Sequence, residues 1–450
     1  MHIHPLLLFS LGLTGVIIGR LLFGRWFNHL SLYSLIWGTG LSLFELGWID
    51  YEPLTVEAWL LIGYAWLAFA AGSAIVILAR RAIGISSNPP PVVKLNQATY
   101  LEKRYLMITV VMLCIIAFLG VVQHWMVLIG RFGSIAGVLL NGGIIYSLRT
   151  SGQLTGLVPY VDSLALIAAC LAGIYCAKAG GIKLIGLFPL LIIMLDEIGT
   201  AARAKLLTAG LLFLSAYFIA KVAPTAHIRT RRASRIRRFL PMFIVLAVLI
   251  LGAESVRGLR EGTFRYYGLT TKFEKYPYVP ASLYLYFSAH PGTLNAYLKA
   301  EDKNLFPGSY TLAPLYRIFV RFGLADPVPP YPKFYNIPIP VNTGTYLLEI
   351  HAEYGIVGVL MIPYLLGLVS TMMWLKIRKQ GGIMSIVLLS HIYVVIAVAF
   401  ALPATGWGFL QLSLFVSLFF AIFIKQRSVA VEVTRQSPLG RQMKLGDASA

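Results

Sequence analysis

The stretch NTGTYLLEIHAEYGIVGVLMIPYLLGL runs from Asn342 to Leu368. Its second half is almost unbroken apolar sequence, as a helix inside a bilayer requires. Its first half carries Asn342, Thr345, Glu349, His351 and Glu353 up to the edge of that apolar run. A helix over Tyr346–Tyr354 places Glu349 and Glu353 four residues apart on one face, with Thr345 on the same face and His351 elsewhere. A carboxyl group against apolar surface can serve as a general base. Acids at a helix start also complement the helix dipole without any chemistry. Gly355 and Gly358 supply small-residue spacing for close helix approach.

Composition extends this reading to the whole chain. Of 450 residues, 58% are apolar and 12% charged, with a mean hydropathy of +0.76. That excludes an ordinary soluble domain and implies a polytopic all-α membrane protein. The alternating ten-residue segments of a membrane β-barrel do not occur. Apolar runs place about eleven transmembrane helices at 5–24, 29–48, 56–79, 105–130, 157–178, 183–198, 203–221, 239–253, 355–375, 383–402 and 408–424. Cys114, Cys170 and Cys176 lie in apolar runs with no metal-ligand spacing, so they read as core residues. The first run lacks a basic flank and a small-residue cleavage site, and reads as a retained helix.

Charge sets the direction. KVAPTAHIRTRRASRIRR (221–238) must be cytoplasmic by the positive-inside rule. Alternating outward from it puts 24 of the 38 Lys+Arg, and only three of the 18 acids, on the cytoplasmic side. The N-terminus is then outside and the C-terminus inside. The net charge of +20 is thereby explained as a topogenic signal, with no need for nucleic acid. SSNPPPVVKLNQ reads as a cytoplasmic linker stiffened by its prolines. The segment 131–156 reads as an interfacial or re-entrant element. The organisation is helices 1–8 over 1–253, an outer loop or cap over 254–354, helices 9–11 over 355–424 and a tail over 425–450.

A connection as long as the outer loop is usually functional. It carries Arg257, Arg260, Arg265, Arg317 and Arg321, and arginine binds phosphate bidentately at any physiological pH. LDEIGTAARAK (195–205) adds Asp196, Glu197 and Arg203 at the membrane surface, where ionisable side chains suggest function. Either set can also be read as local ion pairs, the arginine set less readily than a single arginine. Tyr284, Tyr286, Tyr310, Tyr316 and Tyr331 suit stacking on sugars, or an interfacial aromatic belt.

The arrangement resembles a known family. Many helices, the turn GTAARAK before a helix, and one long late outer loop ending in NTGTYLLEIHAEYGIVGVL are similar to the oligosaccharide repeat-unit polymerases. These are the Wzy-type O-antigen polymerases, including the branch that contains enterobacterial common antigen polymerase. Glu353, Gly355 and Gly358 also fit the E-x-G-x-x-G of the related O-antigen ligases. The ligase histidine, however, would fall near Gly344, and His351 lies on another face, which favours the polymerase branch. The resemblance implies a GT-C-like fold in a bacterial inner membrane with a periplasmic loop. It implies a polymerase that joins undecaprenyl-diphosphate-linked oligosaccharides, with no metal and no cofactor. It also leaves room for a chain-length regulator as partner. On that reading Arg203, Arg257, Arg260, Arg317 and Arg321 bind diphosphate. Arg257 also stabilises the leaving group, and Glu349 or Glu353 handles the acceptor hydroxyl. Asn342, Thr345, Tyr284 and Tyr286 bind sugar.

Other functions compete. A flippase or other transporter would favour ionisable groups and broken helices at mid-membrane. A metal-dependent lipid-linked glycosyltransferase would use acids such as Asp50, Glu52 and Glu57 in the first outer loop. An assembly partner would need no catalytic residue.

Overall fold

The computed structural model describes residues 3–83, 98–158, 160, 163–223, 252, 281–300, 305–328 and 333–436. The helix expected at 239–253 lies outside the described residues except for Gly252. Outside them too are the proline-rich linker, most of the basic segment 221–238, Arg257, Arg260, Arg265 and Tyr331. The described chain is mostly helical, with one short two-stranded ribbon among the described residues.

Among the described residues, five helices are long and apolar enough to cross a membrane: Pro5–Phe23, Val56–Ala82, Leu101–Phe132, Tyr346–Gln380 and Gly408–Arg427. Shorter apolar helices cover Ser163–Lys178, Ala204–Ala220 and Ile383–Val398. The protein is a helical membrane protein. Contacts divide it into two compact units.

The first unit comprises Met1–Asn88, Arg265–Met373 and Ile392–Gln411. It opens with α1 (Pro5–Phe23), α2 (His29–Glu45) and α3 (Val56–Ala82). Pro5 at the first helical turn starts α1, where its missing N–H costs nothing. Asn28 and Thr55 cap α2 and α3 by accepting N–H bonds from Ser31 and Ala58. Helices α1 and α2 meet at backbone contact: a Cβ on Gly12 would stand 2.9 Å from the Gly38 Cα. In lipid this close packing supplies helix association that hydrophobicity cannot. Behind it Tyr33 stacks on Phe69 at 4.2 Å, and Trp37 meets Phe400 edge-on.

Three short helices follow in this unit: α10 (Ala281–Ser288), α11 (His290–Lys299) and α12 (Ala313–Arg321). The ribbon pairs β1 (Tyr335–Asn336) with β2 (Pro340–Val341) in antiparallel register. Then comes α13 (Tyr346–Gln380), whose backbone leaves helical geometry at Gly355, with φ 61° and ψ −156°. Only glycine occupies that region without strain. The Tyr346–Tyr354 segment is thus set off from the apolar helix after it, as the polar-to-apolar switch in the sequence suggested. The unit also holds the C-terminal end of α14 (Ile383–Val398) and the start of α15 (Gly408–Gln436).

The second unit comprises Pro89–Phe264, Trp374–His391 and Leu412–Ala450. It contains α4 (Ala98–Phe132), α5 (Ile135–Leu140), α6 (Gly142–Thr150), α7 (Ser163–Lys178), α8 (Leu184–Gly199) and α9 (Ala204–Ala220). Helix α7 is buried on all sides, the mark of a central helix. The segment expected to be interfacial or re-entrant forms the short helices α5 and α6, with Leu128, Val138 and Ile145 as their core.

Candidate functional site

The first unit assembles a polar pocket around the start of α13. Its backbone is fixed from two sides. The Tyr346 N–H donates to the Ala399 carbonyl at 2.9 Å, and the Leu305 N–H donates to Ala352 at 2.9 Å. The Tyr346 hydroxyl shares a 2.9 Å hydrogen bond with Tyr33. Helix α11 packs alongside: the His290 ring nitrogens lie 2.7 Å from the Tyr286 carbonyl and 3.2 Å from the Thr343 carbonyl, and the neutral ring donates to one of them. Burial holds the His290 imidazole below its ordinary range. Tyr297 and His351 join at 3.0 Å.

Two carboxylates on this helix have opposite surroundings. Glu353 is saturated. Its oxygens accept from the N–H of Gly308 and of Thr311, both at 3.1 Å, from the Ser309 hydroxyl at 3.2 Å, and from the Tyr310 N–H and Thr311 hydroxyl. Successive backbone N–H groups wrapped around one anion form a nest. Here the anion is the protein's own side chain, and the result is a fixed 308–311 loop.

Glu349, one turn earlier, is 1% exposed, and its Oε2 has no hydrogen-bond partner among the described residues. The buried Thr345 and Thr293 hydroxyls are likewise unpartnered among them. Thr345 is one turn before Glu349, and the Thr293 methyl lies 3.5 Å from where a Cβ on the preceding Gly344 would stand. Leaving a buried carboxyl oxygen unpaired costs about 1–3 kcal/mol or more, so three such atoms in one seam need an explanation.

Glu349 acts through its charge on nearby tyrosines. Burial, then the charges of Glu349 and Glu353, holds the Tyr310 phenol above its ordinary range. Burial, then Glu349 and Tyr310, does the same for Tyr335. These phenols remain neutral hydrogen-bond donors at physiological pH. Along the neighbouring strip of the helix lies an apolar cavity of about 230 Å³. Tyr346, Ile350, Tyr354 and Leu366 line it, with Thr311 and Thr405.

The remaining expected site residues are scattered by comparison. Asn342 is half-buried just before α13. Tyr286 is half-buried on α10. Tyr284 is buried, stacked 5.1 Å from Trp48, and donates its hydroxyl to the Leu43 carbonyl. It belongs to the packing between α10 and α2. Tyr316 is buried too and donates to the Asp326 carbonyl at 2.9 Å. Arg317 and Arg321 are exposed on α12. Glu52 pairs with Lys299 at 2.6 Å.

Arg203 lies in the second unit, at the residue where α9 begins. Asp196 and Glu197 are fully buried there rather than surface-exposed. Asp196 pairs with His124 at 2.8 Å and stands 4.0 Å from Lys205. Glu197 accepts the Lys205 N–H at 3.2 Å. Arg149 donates to the Thr200 hydroxyl at 3.3 Å. The turn that reads as a surface loop is thus stitched into a helix junction by its own charges.

Sequence reasoning missed Thr293, Tyr297 and Tyr335, because nothing local distinguishes them from ordinary cap residues. His124 had a signal, since an ionisable residue in an apolar helix is costly unless paired.

A comparison with models of known protein families finds no match, and neither does one with curated proteins or with solved structures.

Proposed function

We propose that the protein is a membrane glycosyltransferase that polymerises lipid-diphosphate-linked oligosaccharides, working at the start of α13. The observation that carries this reading is Glu349, a buried carboxyl group with one oxygen unpartnered. Neutral phenols lie within reach of its charge, and an apolar cavity lies along the neighbouring strip of the same helix. A sugar hydroxyl placed against Glu349 Oε2 would supply the missing partner. As that hydroxyl attacks the anomeric carbon of the donor, its proton passes to Glu349. The new carbon–oxygen bond forms as the bond to the lipid diphosphate breaks, and the diphosphate leaves with the bonding pair. Thr345, Thr293, Tyr310 and Tyr335 would hold sugar hydroxyls. The cavity suits part of an isoprenoid chain.

The finer features belong to the same proposal. They are eleven spans in a GT-C-like arrangement, a bacterial inner membrane, a periplasmic N-terminus and a cytoplasmic C-terminus. Charge distribution supports them. Arg203, Arg257, Arg260, Arg317 and Arg321 would meet the diphosphate charge that develops as the glycosidic bond breaks. Glu353 contributes by fixing the 308–311 loop and, with it, Tyr310.

A transporter is the second reading. It is favoured by the break at Gly355, because discontinuous helices line many transport sites.

The test reconstitutes the full chain in nanodiscs with an undecaprenyl-diphosphate oligosaccharide and reads products on a gel. A ladder from the wild type, reduced at least about a hundredfold in Glu349→Gln, is the expected result. An undiminished ladder in Glu349→Gln removes Glu349 as the base. No product from authenticated substrate, together with movement of the lipid across a vesicle membrane, supports the transporter.

A further inference from the structure

Helix α12 has a covering problem that the proposed chemistry leaves untouched. Its apolar residues Leu315, Ile318, Phe319 and Phe322 follow an i, i+3, i+4, i+7 pattern, which makes one face of a helix. Their exposures are 52%, 48%, 53% and 75%. The side that meets the rest of the unit is a different one, carried by Tyr316 at 4%. A nine-residue helix with three large apolar side chains turned outward, and a fourth on its C-cap, does not persist in water uncovered.

Two observations say what covers them. The first is depth. Pro314, in the first turn of α12, lies 3.5 Å from the position a Cβ on Gly408 would occupy, and the Tyr310 carbonyl presses on Gly406. Gly408 opens the span Gly408–Arg427, so α12 begins level with the end of a membrane-crossing helix. Trp407 and Phe409 stack at that junction, at 5.2 Å, and such aromatics mark the interface between lipid and water. The second is charge. Arg317 and Arg321 are exposed and four residues apart, on the strip that borders Ile318 and Phe322. An interfacial helix places cations on that border, with their stems over apolar surface and their guanidinium groups on lipid phosphates.

We infer that α12 lies in the bilayer interface, in the leaflet at the N-terminal end of α15. Its Leu315, Ile318, Phe319 and Phe322 face enters the acyl region, and Arg317 and Arg321 bind phospholipid phosphates. The partner is a lipid surface. This inference does not rest on the polymerase reading, since it needs only the exposed face, its depth and its charges.

The test places single spin labels on the full chain in phosphatidylcholine–phosphatidylglycerol vesicles, through Leu315→Cys, Arg317→Cys, Phe319→Cys and Arg321→Cys. Cys114, Cys170 and Cys176 are buried, and the unlabelled wild type serves as the control for them. Labels at 315 and 319 are expected to collide severalfold more with oxygen than with a water-soluble nickel chelate, with the order reversed at 317 and 321. Nickel access at all four positions overturns the inference. So does exclusion of both reagents at 315 and 319, which would mean that protein covers the face. Arg317→Gln combined with Arg321→Gln should make the label at 319 read shallower. An unchanged depth overturns the phosphate contacts.

Discussion

Glu353 and Thr311, 42 residues apart in sequence, are joined twice: the Thr311 N–H and its hydroxyl both donate to the same carboxylate. Gly308, Ser309 and Tyr310 complete the set. Glu353→Ala strands these donors and should cost on the order of 3 kcal/mol. Glu353→Gln keeps the size and loses the charge, so it should fall between. Thermal unfolding in detergent measures the loss. Limited proteolysis should show new cleavage near Gly308 in the alanine variant.

Gly355 sets the direction in which Tyr346–Tyr354 leaves the spanning part of α13. Nothing stands within 4 Å of where its Cβ would be, so Gly355→Ala meets no steric clash. Its cost is backbone strain alone, about 1–3 kcal/mol. A lower melting temperature is expected, with a larger drop in polymer formation as Glu349 is displaced. A variant with wild-type values in both assays would show that the break at Gly355 is not needed.

The His124–Asp196 pair is buried on both sides, with side chains 7% and 1% exposed. Asp196→Asn should destabilise the second unit by about 3 kcal/mol, because it leaves partners of a buried charge uncompensated. Adding His124→Gln should recover part of that loss. A double-mutant cycle on thermal unfolding reads the coupling. Strict additivity would mean that the pair contributes nothing of its own.

The Tyr310 and Tyr335 phenols both feel the charge of Glu349. If their hydroxyls hold the acceptor sugar, Tyr335→Phe should raise the acceptor KM a few-fold and leave kcat nearly unchanged. Tyr310→Phe should do the same. A fall in kcat alone would place the phenols in the chemical step.

Much of the fold was legible in the sequence because bilayer insertion depends on local hydrophobicity. Runs such as Val56–Ala82 announce themselves by length and composition, whatever they pack against. The boundary at Tyr354–Gly355 was legible for the same reason. The candidate site was legible only in part. Glu349 and Glu353 read alike as acids four apart on one face, and their difference depends on what lies opposite. Glu353 meets the N–H groups of a loop some forty residues upstream, and Glu349 keeps one oxygen unpartnered among the described residues. Tyr284 likewise read as a sugar-stacking residue, whereas its hydroxyl is engaged by Leu43, 241 residues away. Asp196 and Glu197 read as surface charges because they follow an apolar run, and the structure buries both.

By itself, then, the sequence determined that this chain is a helical membrane protein, with polar groups gathered around the start of α13. These properties follow from the free energy of moving each segment from water to lipid, which is a sum over neighbours in sequence. Only the tertiary structure decided which carboxyl is saturated and which is left with an open oxygen, because hydrogen bonds are made between residues that the chain keeps far apart.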